Sequence, residues 1–128
     1  MQLGIIGLGR MGGNIARRLM LNGHTTVVYD RNTAFVEALS AEGSTGVADL
    51  PALVAGLAKP RAVWVMLPAG APTEDTIETL SHLLEAGDTI IDGGNTNYKD
   101  DIRRAKTLAE KGLHYIDVGT SGGVWGLE

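Results

Sequence analysis

Cysteine is absent from this 128-residue chain, so disulfides, thiolate metal sites and cysteine nucleophiles are all excluded. Aromatic residues are scarce, with one Phe, two Trp and three Tyr. Long apolar runs are missing too. The longest, AVWVMLPAGAP at residues 62–72, is too short to span a bilayer and holds two prolines. No signal-peptide pattern opens the chain, and a cytoplasmic protein without membrane contact is expected. Positive charge is in the minority, 11 Lys and Arg against 15 Asp and Glu, for a net charge of −4. That balance argues against a general nucleic-acid partner, whose binding needs a basic surface. It leaves room for a small phosphorylated ligand held by a helix N-terminus. His24, His82 and His114 are scattered, without the spacing of metal ligands.

Glycine, by contrast, is abundant, at 18 residues, in a chain that is 44% hydrophobic and 20% charged, the balance of one ordinary globular domain. Short Val- and Ile-rich runs at 2–8, 25–30, 61–67, 88–93 and 113–119 read as strands, apolar on both faces. A short further strand is expected within 44–49. Amphipathic stretches at 10–22, 32–42, 49–58, 72–86 and 97–111 read as helices. Gly23, Gly43, Gly87 and Gly112 each follow a helical run, where a left-handed cap is wanted, and Asp49 with Pro51 suits a helix start. The alternation predicts right-handed βαβ units and an α/β, Rossmann-type, doubly wound, mostly parallel sheet in a single domain over 1–128. Trp64 is expected in the core, and Glu74, Asp75, Glu78 and Glu85 on the solvated face and first turn of a helix.

The glycines are not evenly spread. GIIGLGRMGGN carries G-x-G-x-x-G at Gly7, Gly9 and Gly12, after the first strand and opening the first helix. The three suit a tight turn, a close backbone approach to a pyrophosphate, and close helix–strand packing. The second strand ends in Asp30, 18 residues beyond Gly12. A carboxylate there accepts from ribose hydroxyls and repels a 2′-phosphate, whereas the adjacent Arg31 could bind that phosphate or stack on adenine. The position of the acid favours NAD over NADP. Three further loops leave carboxyl ends of strands, LPAGAP (67–72), DGGNTNY (92–98) and VGTSGG (118–123), and should face the same crevice.

With GLGRMGGN, DGGNTNYKDDIRR and GTSGGVWGLE in order, the sequence resembles 6-phosphogluconate dehydrogenase of the NAD-preferring type over essentially its whole length. The first motif is common to the wider β-hydroxyacid dehydrogenase superfamily; the other two are more specific. The resemblance implies that Leu8, Gly9, Arg10, Met11 and Gly12 cradle the pyrophosphate, with Met11 near the nicotinamide. It implies cofactor contact from Leu67, Pro68 and Ala69, although Pro68 stands where many members carry Lys. Asn95 would touch both nicotinamide and substrate, and Ser121, Gly122 and Gly123 would bind the sugar acid 6-phosphogluconate. In the family, a Lys base, a Glu acid and a helical domain carrying the homo-oligomer interface lie downstream. The chain is therefore expected to be the nucleotide-binding part of a longer enzyme, binding NAD with little turnover. A sibling β-hydroxyacid dehydrogenase and a non-catalytic NAD-binding module are the alternatives.

Overall fold

The computed structural model describes residues 2–67, 71–93 and 98–117. Strands and helices alternate: β1 (Gln2–Ile6), α1 (Arg10–Leu21), β2 (Thr25–Tyr29), α2 (Thr33–Ala41), β3 (Thr45–Gly46), α3 (Leu50–Ala55), β4 (Ala62–Val65), α4 (Ala71–Leu83), β5 (Thr89–Asp92), α5 (Tyr98–Glu110) and β6 (His114–Asp117). The strands form one six-stranded sheet in the order β3-β2-β1-β4-β5-β6, and every pairing is parallel. This is the expected Rossmann-like α/β architecture. The strand expected within 44–49 is present but only two residues long.

Local signals end the helices where the sequence places them. Gly23, Gly43, Gly87 and Gly112 all have positive φ, the region in which a residue with a Cβ is strained. The Asp49 carboxylate accepts the Ala52 N–H at 2.8 Å to cap α3, whose first turn holds Pro51. The Asn32 side chain caps α2 in the same way, through Ala34 N–H at 3.0 Å. Two helices are shorter than expected. α3 stops at Ala55, ahead of Gly56. α4 stops at Leu83, because the N–H of Glu85 is given to the buried carboxylate of Asp88 at 2.9 Å.

Burial alternates along the strands and divides the core in two. Ile6, Val27, Val63, Val65 and Ile90 point to the face covered by α3, α4 and α5, meeting Leu53, Ile77, Leu80 and Leu108. Leu3, Ile5 and Val28 point to the opposite face, under Ile15 and Ala16 of α1 and Leu39 of α2. That second layer covers half of its face. The register row Trp64–Ile91–Ile116 crosses the other half, with Trp64 and Ile91 half-buried and Ile116 49% exposed. The expectation of strands buried on both faces thus holds for β1 and fails for β4 to β6. Trp64 packs at the margin of the core instead of inside it. Between the two helices of that layer, Arg17 donates to Glu42 at 2.9 Å. This hydrogen bond holds the Glu42 carboxyl below the usual carboxylate range. Its small contribution is present at neutral pH and lost in acid as Glu42 protonates.

The amino end of the sheet is tied by a buried charge cluster. The Asp88 carboxylate, 2% exposed, accepts the Arg61 N–H at 2.7 Å and lies 3.2 Å from Arg61 Nε. That close approach is an ion pair without the alignment of a hydrogen bond, since Arg61 Nε has no hydrogen-bond partner. Glu85, exposed as expected, also pairs with Lys59 at 2.5 Å and lies 3.5 Å from Arg61. Removing one member of a buried pair strands the other charge. Asp88→Ala is expected to lower unfolding free energy by about 3–5 kcal/mol in denaturant titration. Leu21→Ala, at a side chain 87% exposed, should move it by less than about 0.5 kcal/mol.

Candidate functional site

At the carboxyl end of β1 the chain turns sharply into α1. Gly7 has φ +91°, and a Cβ built on it would stand 2.4 Å from the Met66 carbonyl oxygen. A Cβ on Gly12 would stand 1.8 Å from the Gly7 carbonyl oxygen. Both glycines are therefore required by the chain's own backbone. Gly9 is different. Its φ of −62° and ψ of −167° suit any residue, and among the described residues a Cβ there would meet nothing within 4 Å. No packing among the described residues asks for glycine at this position. The open space beside it is what a ligand approaching the backbone would fill.

The same turn presents donors. Arg10 and Met11 are the first residues of α1, which has no side-chain cap and no acidic residue in its first turn. Its leading N–H groups have no partners within the helix, and the helix dipole favours an anion there. Gly7, Gly9 and Gly12 line a cleft of about 710 Å³, within the range of small-molecule sites. Asp30 and Arg31 stand on its wall at the end of β2, and Leu67 closes it beyond β4. Leu8, which the resemblance implies is part of the cradle, buries its side chain under α1 and turns its N–H towards the end of β2. That N–H is donated to Asp30 Oδ2 at 2.6 Å, while Asp30 Oδ1 accepts the Asn32 N–H at 2.7 Å.

Several cleft residues escaped the sequence reading. Asp75 and Thr76 of α4 line it, so Asp75, exposed as expected, also faces the site. Phe35 and Leu50 supply apolar wall. Phe35 is the chain's one Phe and remains 43% exposed, a signal that was legible five residues beyond Asp30. The fully buried Thr73 donates to the Leu67 carbonyl at 3.3 Å, tying the start of α4 to the residue that closes the cleft.

Beside the cleft, β5 ends in the DGG motif. Asp92 is fully buried and accepts from the Tyr115 hydroxyl at 2.6 Å. A Cβ on Gly93 would stand 2.2 Å from Met66 Sδ and 2.3 Å from Trp64 Nε1, so packing alone accounts for this glycine. Pro68 and Ala69, Asn95, and Ser121, Gly122 and Gly123 lie outside the described residues. Among the described residues no group of three or more His, Cys, Asp or Glu is placed to hold a metal. Among the same residues no helix is long and apolar enough to cross a membrane.

Comparison with known proteins agrees with this geometry. Residues 2–128 match the family described as the NAD binding domain of 6-phosphogluconate dehydrogenase. The chain belongs to this family. As a 6-phosphogluconate dehydrogenase nucleotide-binding domain, it is 41% identical over 125 residues to the NAD(+)-dependent, decarboxylating enzyme of Bacillus subtilis (strain 168), covering 94% of this chain and 27% of that protein. It is 40% identical over 126 residues to the NADP(+)-dependent enzyme of the same organism, covering 95% and 27%. Among solved structures, Plasmodium falciparum 6-phosphogluconate dehydrogenase, studied apo, with NADP+ and with 6-phosphogluconate, superposes with a TM-score of 0.83 at 31% identity, over 90% of this chain and 26% of that one. The chain thus spans about a quarter of the length of these relatives, and its family is one of oxidoreductases.

The division among the three glycines is directly testable. Gly12→Ala is expected to cost about 2 kcal/mol or more of stability, because its methyl meets backbone. Gly9→Ala should leave the thermal midpoint within a degree or two, because its conformation and surroundings both accept a Cβ.

Proposed function

We propose that this chain binds NAD in preference to NADP, as the nucleotide-binding domain of an enzyme that oxidatively decarboxylates 6-phosphogluconate to ribulose 5-phosphate and carbon dioxide. The observation that carries the reading is Gly9. It is a glycine that no contact among the described residues requires, beside an uncapped helix N-terminus and in one cleft with a strand-end carboxylate. A pyrophosphate fits that space. The N–H groups opening α1 bind its charge, and the missing Cβ at Gly9 lets it reach them. Bound there, the dinucleotide supplies a hydride acceptor.

This chain's own residues bind and orient. Asp30 keeps acceptor capacity for ribose hydroxyls and opposes a 2′-phosphate, and Asp75 adds a second carboxylate to the same cleft. Phe35, Leu50 and Leu67 give the adenosine half an apolar bed that excludes water. Asn95, Ser121, Gly122 and Gly123 are proposed to hold the sugar acid, as the family resemblance implies. The domain is proposed to comprise residues 1–128, and the proton-transfer groups and oligomer interface to belong to the remainder of the full enzyme.

Calorimetric titration of the chain with NADH and with NADPH tests the reading. NADH should bind at least about tenfold more tightly, a difference of about 1.4 kcal/mol. Gly9→Ala should weaken NADH by a similar factor without unfolding the chain. Equal or reversed preference would place Arg31 above Asp30 and sink the NAD assignment. Turnover of a phosphate-free β-hydroxyacid in place of 6-phosphogluconate by the full enzyme would favour the sibling dehydrogenases.

A further inference from the structure

The hydrogen bonds of Asp30 point to a second duty for this residue. Its carboxylate joins two backbone segments that are not otherwise neighbours in sequence. Oδ2 accepts from Leu8 in the glycine-rich turn at 2.6 Å, and Oδ1 accepts from Asn32 at the cap of α2 at 2.7 Å. Both are short, charge-assisted contacts, the stronger kind of hydrogen bond. Among the described residues, Leu8 is otherwise anchored through its side chain, 4% exposed in the core layer beneath α1. Gly7, just before it, gives its own N–H to the Tyr29 carbonyl at 3.0 Å. The turn is therefore held to the end of β2 by two successive N–H groups, one on backbone and one on Asp30.

We infer that Asp30 is a positioning residue for the phosphate-binding turn as well as the reader of the ribose. It fixes Leu8, and with it the path into Gly9 and the first N–H groups of α1, before any ligand arrives. A carboxylate has about four acceptor positions. Leu8 and Asn32 take two, which leaves two for ribose hydroxyls, so the duties coexist. The consequence is asymmetric. Exchanging Asp30 for a neutral residue removes its repulsion of a 2′-phosphate, yet it also loosens the turn that every dinucleotide uses. This inference rests on the proposed dinucleotide site, and the experiment separates the two.

The probe is an NADH analogue whose adenosine ribose lacks both hydroxyls, titrated beside NADH into wild type, Asp30→Asn and Asp30→Ala. A residue that only reads the ribose has nothing to grip on the analogue. Losing a negative charge near a pyrophosphate would by itself tighten binding. Positioning predicts the opposite: both variants bind the analogue about tenfold more weakly than wild type. Variants that bind it as well as wild type, or better, overturn the inference. Amide hydrogen exchange without ligand gives the second readout. Exchange at Leu8 should quicken at least about tenfold in Asp30→Ala while that at Gly7 is unchanged, and an unchanged Leu8 overturns the inference on its own. Should Asp30→Ala fail to fold, Asp30→Asn keeps the shape and one acceptor oxygen and carries both measurements. Should wild type bind no dinucleotide, the proposed function falls, whereas Leu8 exchange still decides whether Asp30 holds the turn.

Discussion

The approach of α1 to the end of β1 is the constraint from which the site follows. With the Gly7 carbonyl oxygen 1.8 Å from where a Gly12 Cβ would stand, helix and strand meet at backbone distance. Any side chain at position 12 would push the helix off the sheet. Because β1 lies between β2 and β4, this contact sets the N-terminus of α1 over the middle of the sheet, where successive crossovers diverge. Such divergence opens a crevice at the carboxyl ends of the strands. The positive φ of Gly7 makes the turn into that contact possible. The uncapped N–H groups, the open side of Gly9 and the reach of Asp30 to Leu8 all depend on where this turn places the chain.

The two ends of the sheet divide the work. At the amino end, charge is buried and satisfied internally, with Asp88 taking N–H groups from Arg61 and Glu85. A buried pair of this kind is weak as a source of net stability and costly to break, and it fixes where β4 and β5 begin. At the carboxyl end, polar groups are left open towards the cleft. The carboxyl end also carries internal ties, the buried Asp92 taking the Tyr115 hydroxyl and Gly12 meeting Gly7 at backbone distance, so recognition there is built onto a fixed frame. The faces are unequal as well. Three helices close the face holding Ile90, whereas Ile91, next to it in sequence, looks out beside Trp64 and Ile116. In the relatives, which are several times longer than this chain, further sequence accompanies the domain.

Much of this was legible because it rests on spacing. The periodicities of strand and helix, the glycines after each helix and the G-x-G-x-x-G context are written along the chain, and they recovered the parallel α/β sheet. What spacing does not encode is direction and coverage. Asp75 fell on the polar side of a helical pattern and is exposed as read, although with Thr76 it also borders the cleft. Trp64 sits in an apolar strand, and nothing in its neighbours reveals that α1 and α2 stop short of covering it. Glu85 is the exposed acid that the sequence suggested, but its pairing with Lys59 and Arg61, distant in sequence, was not legible. The aim of the Leu8 N–H towards Asp30 depends on the turn geometry that Gly7 alone permits, so the second duty of the acid could not be read from its position.

Cofactor choice shows how local such determinants are. The two Bacillus subtilis enzymes, one NAD(+)-dependent and the other NADP(+)-dependent, are 41% and 40% identical to this chain, so overall similarity carries no information on the matter. The contest is between neighbouring residues of opposite charge. Asp30 is half-buried and held through both oxygens by backbone donors, so little conformational freedom is left for it to lose on binding. Arg31 is exposed and makes no ion pair among the described residues. To bind a 2′-phosphate it would have to order a long side chain, and to do so beside a carboxylate that cannot move away. A fixed acceptor opposing a free donor supports the preference for a ribose with its hydroxyls intact. With the double role proposed for Asp30, exchanging the charge at position 30 alone is expected to be a poor route to the other cofactor, because the same carboxylate takes the Leu8 N–H of the turn.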